Sequence, residues 1–177
     1  MRTLLICFVV GLCLPPGAAA QRPAPAPPNA PAGVVALAPV VTDSAATLHA
    51  VTLSAERLAA AAQGATQAPA WARVLRGLRH VDLRVVPRAA LDTAALARLT
   101  DALHRAGWKQ LIRPNAASAH TALYALPGDS TAVRGLLLVA RASNGTVTLA
   151  NLAGALSPDA LAALDIQQLA SLPPRTP

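Results

Sequence analysis

Two apolar segments separated by Asn144-Gly145 constrain the fold of this chain more than any other feature. Segments 133–142 and 146–153 consist mainly of aliphatic and β-branched residues, which fit a pleated, buried strand. Asn-Gly is the dipeptide that two-residue type I′ turns prefer. The pattern therefore predicts an antiparallel hairpin with its turn at Asn144-Gly145.

The predicted turn also determines which side chains share a face of the hairpin. A two-residue loop pairs Ala142 with Val147 and Ala140 with Leu149, and side chains alternate between faces along each strand. We therefore expect the core face to carry Leu136, Leu138, Ala140, Val147 and Leu149. The opposite face would carry Leu137, Val139, Arg141, Thr146 and Thr148.

Four amphipathic segments elsewhere have the composition of helices. Each begins at a residue type that favours helix N-termini: Ser54, Pro69, Asp92 and Ser157. The clearest helix is predicted over 93–106, where leucines recur at helical spacing. Gly107 would end it in a left-handed conformation, and Trp108 would fold back onto Leu103 as in a Schellman motif.

Strand signals lie between these helices and after them. Besides the hairpin, strands are predicted over 48–53, 79–87, 110–113 and 119–126. Consecutive strands late in the chain favour antiparallel pairing. The sequence thus predicts one small α+β domain, an antiparallel sheet with helices packed mainly on one face.

The first twenty residues have the pattern of a cleavable signal peptide. Arg2 supplies a positive charge, and the apolar run 4–14 is too short to span a bilayer. Ala18-Ala19-Ala20 fits a small-residue cleavage site before Gln21. We therefore predict a signal peptide over 1–20 and an exported protein, periplasmic or associated with the envelope.

Both cysteines of the chain, Cys7 and Cys13, fall within this leader. A mature chain without cysteine has no disulfide, thiol nucleophile or thiolate metal ligand. Lipidation at Cys13 would need a small residue immediately before it, whereas Leu12 stands there. This mismatch disfavours a lipoprotein.

A segment dominated by Ala and Pro, residues 21–41, follows the leader. Such a composition is typical of a semi-extended, disordered linker. Its last part, Val34–Val41, is apolar, and it either packs on the domain or forms a first edge strand. The domain is predicted over 42–172, with a disordered tail over 173–177.

The charge of the chain is strongly basic, with a formal net charge of +7. Five arginines lie close together in the sequence with only Asp82 opposing them: Arg73, Arg76, Arg79, Arg84 and Arg88. They predict a patch for an anionic partner, either an envelope protein or an anionic surface. The alternative is a solvated face that keeps the protein soluble. Aromatic residues make up only 2% of the chain, which disfavours nucleic acid binding.

The sequence contains no recognisable catalytic or metal-binding motif. The four histidines, His49, His80, His104 and His120, lack the spacings of metal ligands. A G-x-S-x-G elbow, an S-x-x-K motif and a Gly-rich phosphate loop are also missing from the sequence. We therefore predict no cofactor, no metal and no enzymatic activity.

Several segments resemble an exported bacterial family called domain of unknown function 4252. The resemblance covers about 47–172 and is strongest in the final hairpin, in Asn151-x-x-Gly154 and in the helix capped by Ser157. The segments are Leu78-Arg79-His80-Val81, Gly107-Trp108, 133–139 and 147–161. The chain departs from the family pattern in its long Pro/Ala spacer and in its few acidic residues.

This resemblance implies a fold and an address rather than a chemistry. Members are typically exported, some as lipoproteins, and some are encoded near extracytoplasmic-function sigma factors, which implies a link to envelope stress. No catalytic residues are implied, because the family has no established activity. We expect a non-enzymatic periplasmic interaction module, linked to envelope sensing. The alternatives are a small-molecule or lipid-binding protein that uses the aliphatic sheet face, and an unrecognised hydrolase with convergent Ser, His and Asp.

Overall fold

A six-stranded antiparallel sheet organises the protein in the computed structural model, which describes residues 32–112, 121–129 and 131–164. The strands are β1 (His49–Ser54), β2 (Leu78–Pro87), β3 (Lys109–Ile112), β4 (Thr121–Pro127), β5 (Val133–Arg141) and β6 (Thr146–Leu156). Their order across the sheet is β1-β2-β6-β5-β4-β3. The predicted signal peptide, the linker before residue 32 and the tail lie outside the described residues.

Four α-helices accompany the sheet in the described ranges: α1 (Ala55–Gly64), α2 (Pro69–Gly77), α3 (Thr93–Arg105) and α4 (Pro158–Ala162). Short 3₁₀ turns occupy Ala38–Val40, Ser44–Ala46 and Arg88–Ala90. Helices α1, α2 and α4 cover one face of the sheet, over Val51, Leu83 and Leu152. We call this the helical face. The prediction of an α+β domain with an antiparallel sheet and most helices on one face is confirmed.

The opposite face is covered by α3 and by a stretch of chain that precedes β1. This stretch, residues 33–41, is called the strap, and the face beneath it the strap face. Leu37 and Val40 of the strap are buried with Leu137 and Leu149 of the sheet. The expectation of a single core face on the hairpin is therefore wrong, since both faces of the sheet are buried.

The strap, residues 33–41, belongs to the segment 21–41 that composition predicts to be a disordered linker. Val41 forms a bridge with Leu91, and Asp92 N donates to Val40 O at 2.9 Å. Leu37 is only 1% exposed. Of the two alternatives for Val34–Val41, packing on the domain is the one observed.

The first and last turns of helix α3 have the capping interactions that the sequence predicts. The Asp92 side chain accepts from Ala95 N at 2.8 Å at the start of the helix. At its end Gly107 has φ +84°, and Trp108 N donates to Leu103 O at 3.0 Å. The predicted Schellman closure is confirmed, and it buries Trp108 in the core of the strap face.

The register of the β5–β6 hairpin differs by one residue from the prediction. Ala140 lies opposite Thr148, and Val139 lies opposite Leu149. Ala142 N donates to Thr146 O at 2.9 Å and Gly145 N donates to Ala142 O at 3.1 Å, which makes a three-residue loop. A shift of one residue exchanges the faces of a whole strand, so Val147 and Leu149 lie with Leu137 on the strap face.

The Asn144 side chain accounts for the longer loop. Its Oδ1 accepts from Thr146 N at 3.1 Å and from Thr146 Oγ1 at 2.7 Å. Asparagine forms such local bonds readily, and Gly145 takes φ +81° in the position after the turn. Since both faces of the hairpin are apolar, the residue pattern alone did not discriminate between the two registers.

Candidate interaction surface

Helix α2 exposes two arginines because its apolar residues are buried on the other side of the helix. Ala72, Val74 and Leu75 are buried on the helical face, which turns Arg73 and Arg76 towards solvent. Residues three apart in a helix lie on the same side. Arg76 also lies in the last turn, where a cation interacts favourably with the helix dipole.

A close crossing of two glycines brings the end of α2 onto the sheet. A Cβ atom at Gly154, where φ is +155°, would lie 2.2 Å from Gly77 O. A Cβ atom at Gly77 would lie 2.6 Å from Ala155 O. Both positions therefore require glycine, as expected if Gly154 serves backbone geometry. The chain then enters β2, with Arg79 exposed three residues after Arg76.

The five predicted arginines do not form one patch. Arg84 lies on the strap face, with its side chain 22% exposed and its Nε donating to Asp82 Oδ1 at 3.1 Å. Arg88 follows the far end of β2, nine residues from Arg79, which corresponds to about 30 Å along a strand. Arg73 and Arg76 share the exposed side of α2 and Arg79 follows three residues after Arg76, and we call these three residues the α2 arginine cluster.

The α2 arginine cluster is exposed, and its charges are not paired within the described residues. All three side chains belong to exposed residues. Within 32–112, 121–129 and 131–164, observed ion pairs such as Arg84 with Asp82 and Arg98 with Asp92 do not involve the cluster. Three solvated guanidinium groups, each with five donors, are suited to carboxylate or phosphate groups of a partner.

A row of polar side chains runs along β2 on the strap face. His80, Asp82 and Arg84 alternate along the strand, and the sheet register places Ser54 opposite His80 and Asn151 opposite Asp82. Asp82 is buried and accepts from Arg84 Nη2 at 3.3 Å besides the Nε bond. Burial lowers the pKa of His80 below its ordinary value, and the nearby Asp82 carboxylate partly offsets this effect.

This row brings Ser54, His80 and Asp82 to one face, but in an arrangement unlike that of a hydrolase. In the part of the chain that the structure describes, no hydrogen bond joins Ser54 to His80 or His80 to Asp82. The Asp82 carboxylate is instead bound by Arg84. Nucleophilic catalysis needs a serine within hydrogen-bond reach of an oriented base. Among the described residues, Ser54, His80 and Asp82 therefore do not have the mutual geometry of a catalytic triad.

The remaining histidines are dispersed over the fold. His49 begins β1, His104 lies on α3 with its ring 5.8 Å from that of Tyr124, and His120 lies outside the described residues. Among the residues described, no three His, Cys, Asp or Glu side chains come together in a way that could hold a metal ion. Burial raises the pKa of Tyr124.

The aliphatic sheet faces, which the lipid-binding alternative would use, are occupied. Helices α1, α2 and α4 pack on one of them, and α3 and the strap pack on the other. Leu83, Leu137, Leu149 and Leu152 are among the fully buried side chains. In the described residues, both faces of the sheet are therefore covered by the protein's own helices and strap.

Asn151 has a role that composition did not reveal. It is fully buried, and its Oδ1 accepts from Val35 N at 2.8 Å. Its Nδ2 donates to Gly33 O at 3.0 Å and to Leu136 O at 3.1 Å. The amide thus fastens the strap to the sheet. The sequence signal for this role is that Asn151 is the single polar residue in the apolar run 149–156 of β6. A side-chain amide buried at such a position needs hydrogen-bond partners, and the strap supplies two of them.

The family model described as Domain of unknown function (DUF4252) matches residues 45–164, more than half of the chain. The chain belongs to the DUF4252 family. No curated protein and no solved structure matches it. In this DUF4252 protein the match begins four residues before β1 and ends just after α4, so it includes the α2 arginine cluster and leaves out the strap.

Within the described ranges, no helix of this DUF4252 protein is both long and apolar enough to cross a bilayer.

The strap gives a testable consequence at Gly135. A Cβ atom there would lie 2.8 Å from Gly33 Cα and 2.7 Å from Trp108 Cη2. We expect Gly135→Ala to lower the free energy of unfolding by about 1–3 kcal/mol, since the strap or the indole must move. Gly64→Ala is the matched control, because a Cβ atom there meets nothing within 4 Å. Equal unfolding curves for both variants would contradict the observed crossing.

His80 gives a pH-dependent consequence. Because its pKa is lowered in the folded chain, the unfolded chain binds a proton more readily. The stability that the neutral imidazole contributes is present above the ordinary pKa of 6.5 and is lost as the pH falls through the folded pKa. We expect His80→Gln to lose less thermal stability than the natural chain between about pH 7.5 and about pH 5. Parallel losses in the two proteins would refute this.

Proposed function

We propose that this DUF4252 protein is an exported, non-enzymatic module that binds an anionic partner in the periplasm or envelope through the α2 arginine cluster. The observation that carries the proposal is the exposure of Arg73, Arg76 and Arg79 at one end of the domain, without ion pairs in the described residues. The partner is an acidic protein or an anionic surface of the envelope.

The leader sequence supports the proposed location. Arg2, the apolar run 4–14 and Ala18-Ala19-Ala20 have the order of a secretory signal. A basic net charge of +7 also favours association with anionic partners, because the field of the whole protein adds to the local contacts. The occupied sheet faces and the unconnected Ser54, His80 and Asp82 support a binding role over catalysis.

The proposal is tested by binding of the tagged full-length chain to envelope extract. Arg73→Glu combined with Arg76→Glu should abolish the binding, and the binding of the natural chain should weaken as salt is added. Arg98→Glu with Arg105→Glu on α3 makes the same change in net charge and should bind nearly as the natural chain does. Equal losses in both double variants would point to non-specific charge and refute a role of the cluster.

A sensing role depends on what the partner is. Capture of a membrane-bound signalling protein through the cluster would support a link to envelope sensing. Binding to lipid vesicles alone, with vesicles of phosphatidylglycerol preferred over vesicles of phosphatidylcholine, would instead identify the anionic surface as the partner.

A further inference from the structure

We propose that the outer edge of β1, over residues 50–54, accepts an extended acidic segment of a partner protein as an additional strand, a proposal that rests on the proposed binding function and names its partner. Strand β1 is the first strand in the sheet order and pairs with β2 on one side only in the described residues. An edge strand presents unpaired N–H and C=O groups that an extended peptide can bind.

The edge at β1 lacks the features by which proteins usually protect an edge. Its six residues pair with β2 in continuous register, without a bulge and without Lys or Pro. The opposite edge, β3, has four residues, begins with Lys109 and contains a register shift. Charged residues, bulges and shortness all discourage pairing with another chain. Strand β1 is therefore the edge that is suited to strand addition.

The surroundings of β1 are open on the strap face. Ala50, Thr52 and Ser54 are exposed there, because α3 and the strap cover other strands. Leu48, immediately before β1, is 63% exposed although its N–H donates to Val85 O at 2.9 Å. Thus an ordered apolar side chain stands beside the open edge and is available to a partner side chain.

Two arginines beyond the ends of the β1–β2 ladder favour an acidic segment as the added strand. Arg79 lies just beyond the pair His80 and Ser54, and Arg88 lies beyond the other end of the β1–β2 ladder. An added strand would lie about 10 Å from β2, a distance that an arginine and a glutamate side chain bridge together. A segment of about ten residues with carboxylates near both ends would contact both arginines. Two copies of this basic chain would repel each other, which favours an acidic partner over self-pairing.

The test uses the full-length chain and a synthetic peptide of alternating Val and Glu, about ten residues long. We expect binding with changes in the backbone amide NMR signals of β1. A peptide of alternating Pro and Glu has the same charge but lacks half of the N–H donors, and it should bind at least about tenfold more weakly. A peptide of alternating Val and Lys should not bind.

Two substitutions separate this inference from the proposed function. Ala50→Glu and Arg88→Glu each place a negative charge beside the added strand and should weaken binding of the Val-Glu peptide about tenfold, with little effect on folding, since both residues are exposed and Ala50 lies opposite Arg84 rather than a carboxylate. Ala94→Glu and Arg105→Glu on α3 are the controls for the same charge changes, and they should leave the affinity nearly unchanged.

The outcomes are distinguishable. Failure of the Val-Glu peptide to bind, or equal binding of the Val-Glu and Pro-Glu peptides, overturns strand addition at β1. If Ala50→Glu and Arg88→Glu bind the Val-Glu peptide and the envelope extract normally while Arg73→Glu with Arg76→Glu loses binding to the extract, the arginine cluster remains the binding surface and the β1 inference is wrong.

Discussion

Replacing Asn151 by Leu should lower the free energy of unfolding by about 3–5 kcal/mol, the largest effect that we expect from one buried polar residue. Leucine has the same number of side-chain heavy atoms and the same branching at Cγ, but it binds neither Val35 N nor the carbonyl oxygens of Gly33 and Leu136, which lie within 3.1 Å of the natural amide. Buried backbone groups left without partners cost about 1–3 kcal/mol each. Chemical denaturation monitored by circular dichroism measures the loss.

The control for this prediction is the exposed asparagine of the hairpin turn. Asn144→Ala removes two hydrogen bonds to Thr146, but water replaces them, and we expect a loss of about 0.5–1.5 kcal/mol. The strap should also become accessible to protease in Asn151→Leu before the domain unfolds. Similar stability losses in the two variants would mean that Asn151 does not hold the strap.

Replacing Trp108 by Ala should lower the free energy of unfolding by about 3–5 kcal/mol. The indole is buried beside Gly135 and packs in the same cluster as Leu103, Val35 and Leu37. Its removal leaves a cavity under the strap and takes away the apolar contact of the Schellman closure. Thermal or chemical unfolding measures the effect.

Trp71 offers a matched aromatic comparison. It is half-buried at the edge of the helical-face cluster, so Trp71→Ala should cost clearly less than Trp108→Ala. The opposite ranking of the two variants would contradict the placement of Trp108 in the core.

Features of the fold that depend on neighbouring residues were predictable from the sequence. The Asp92 side chain bonds to Ala95 N, three residues away, and Ser157 Oγ accepts from Ala160 N in the same way. Gly107 and Trp108 close α3 through bonds to the preceding turn. Such interactions are encoded within five or six residues, so the local pattern is sufficient.

Features that depend on distant residues were not predictable in this way. Val35 bonds to Asn151, 116 residues later, and the apolar composition of Val34–Val41 left packing on the domain and a first edge strand as alternatives. The hairpin register depends on the length of the loop. The hydrogen bond from Thr146 N to the Asn144 side chain favours the three-residue loop, which the residue pattern alone does not specify. Because both faces of the hairpin carry apolar residues, the alternation of side chains between the faces is compatible with either register.

The candidate site was predictable only in part. Arg73 and Arg76 lie on one short helix, and helical spacing is enough to place them together. Arg84 and Arg88 are close to them in sequence but not in space, because an extended strand separates residues by about 3.3 Å each and turns alternate side chains to opposite faces. The open edge of β1 followed only from the strand order.

The measurement that tests the central claim most directly is crosslinking in living cells with the tagged full-length chain, followed by mass spectrometry. Three chains are compared: the natural one, Arg73→Glu with Arg76→Glu, and the α3 control Arg98→Glu with Arg105→Glu. The account predicts one dominant envelope partner that the natural chain and the α3 control capture and the cluster variant does not. Equal capture of that partner by the cluster variant, or no partner above background for the natural chain, would contradict it.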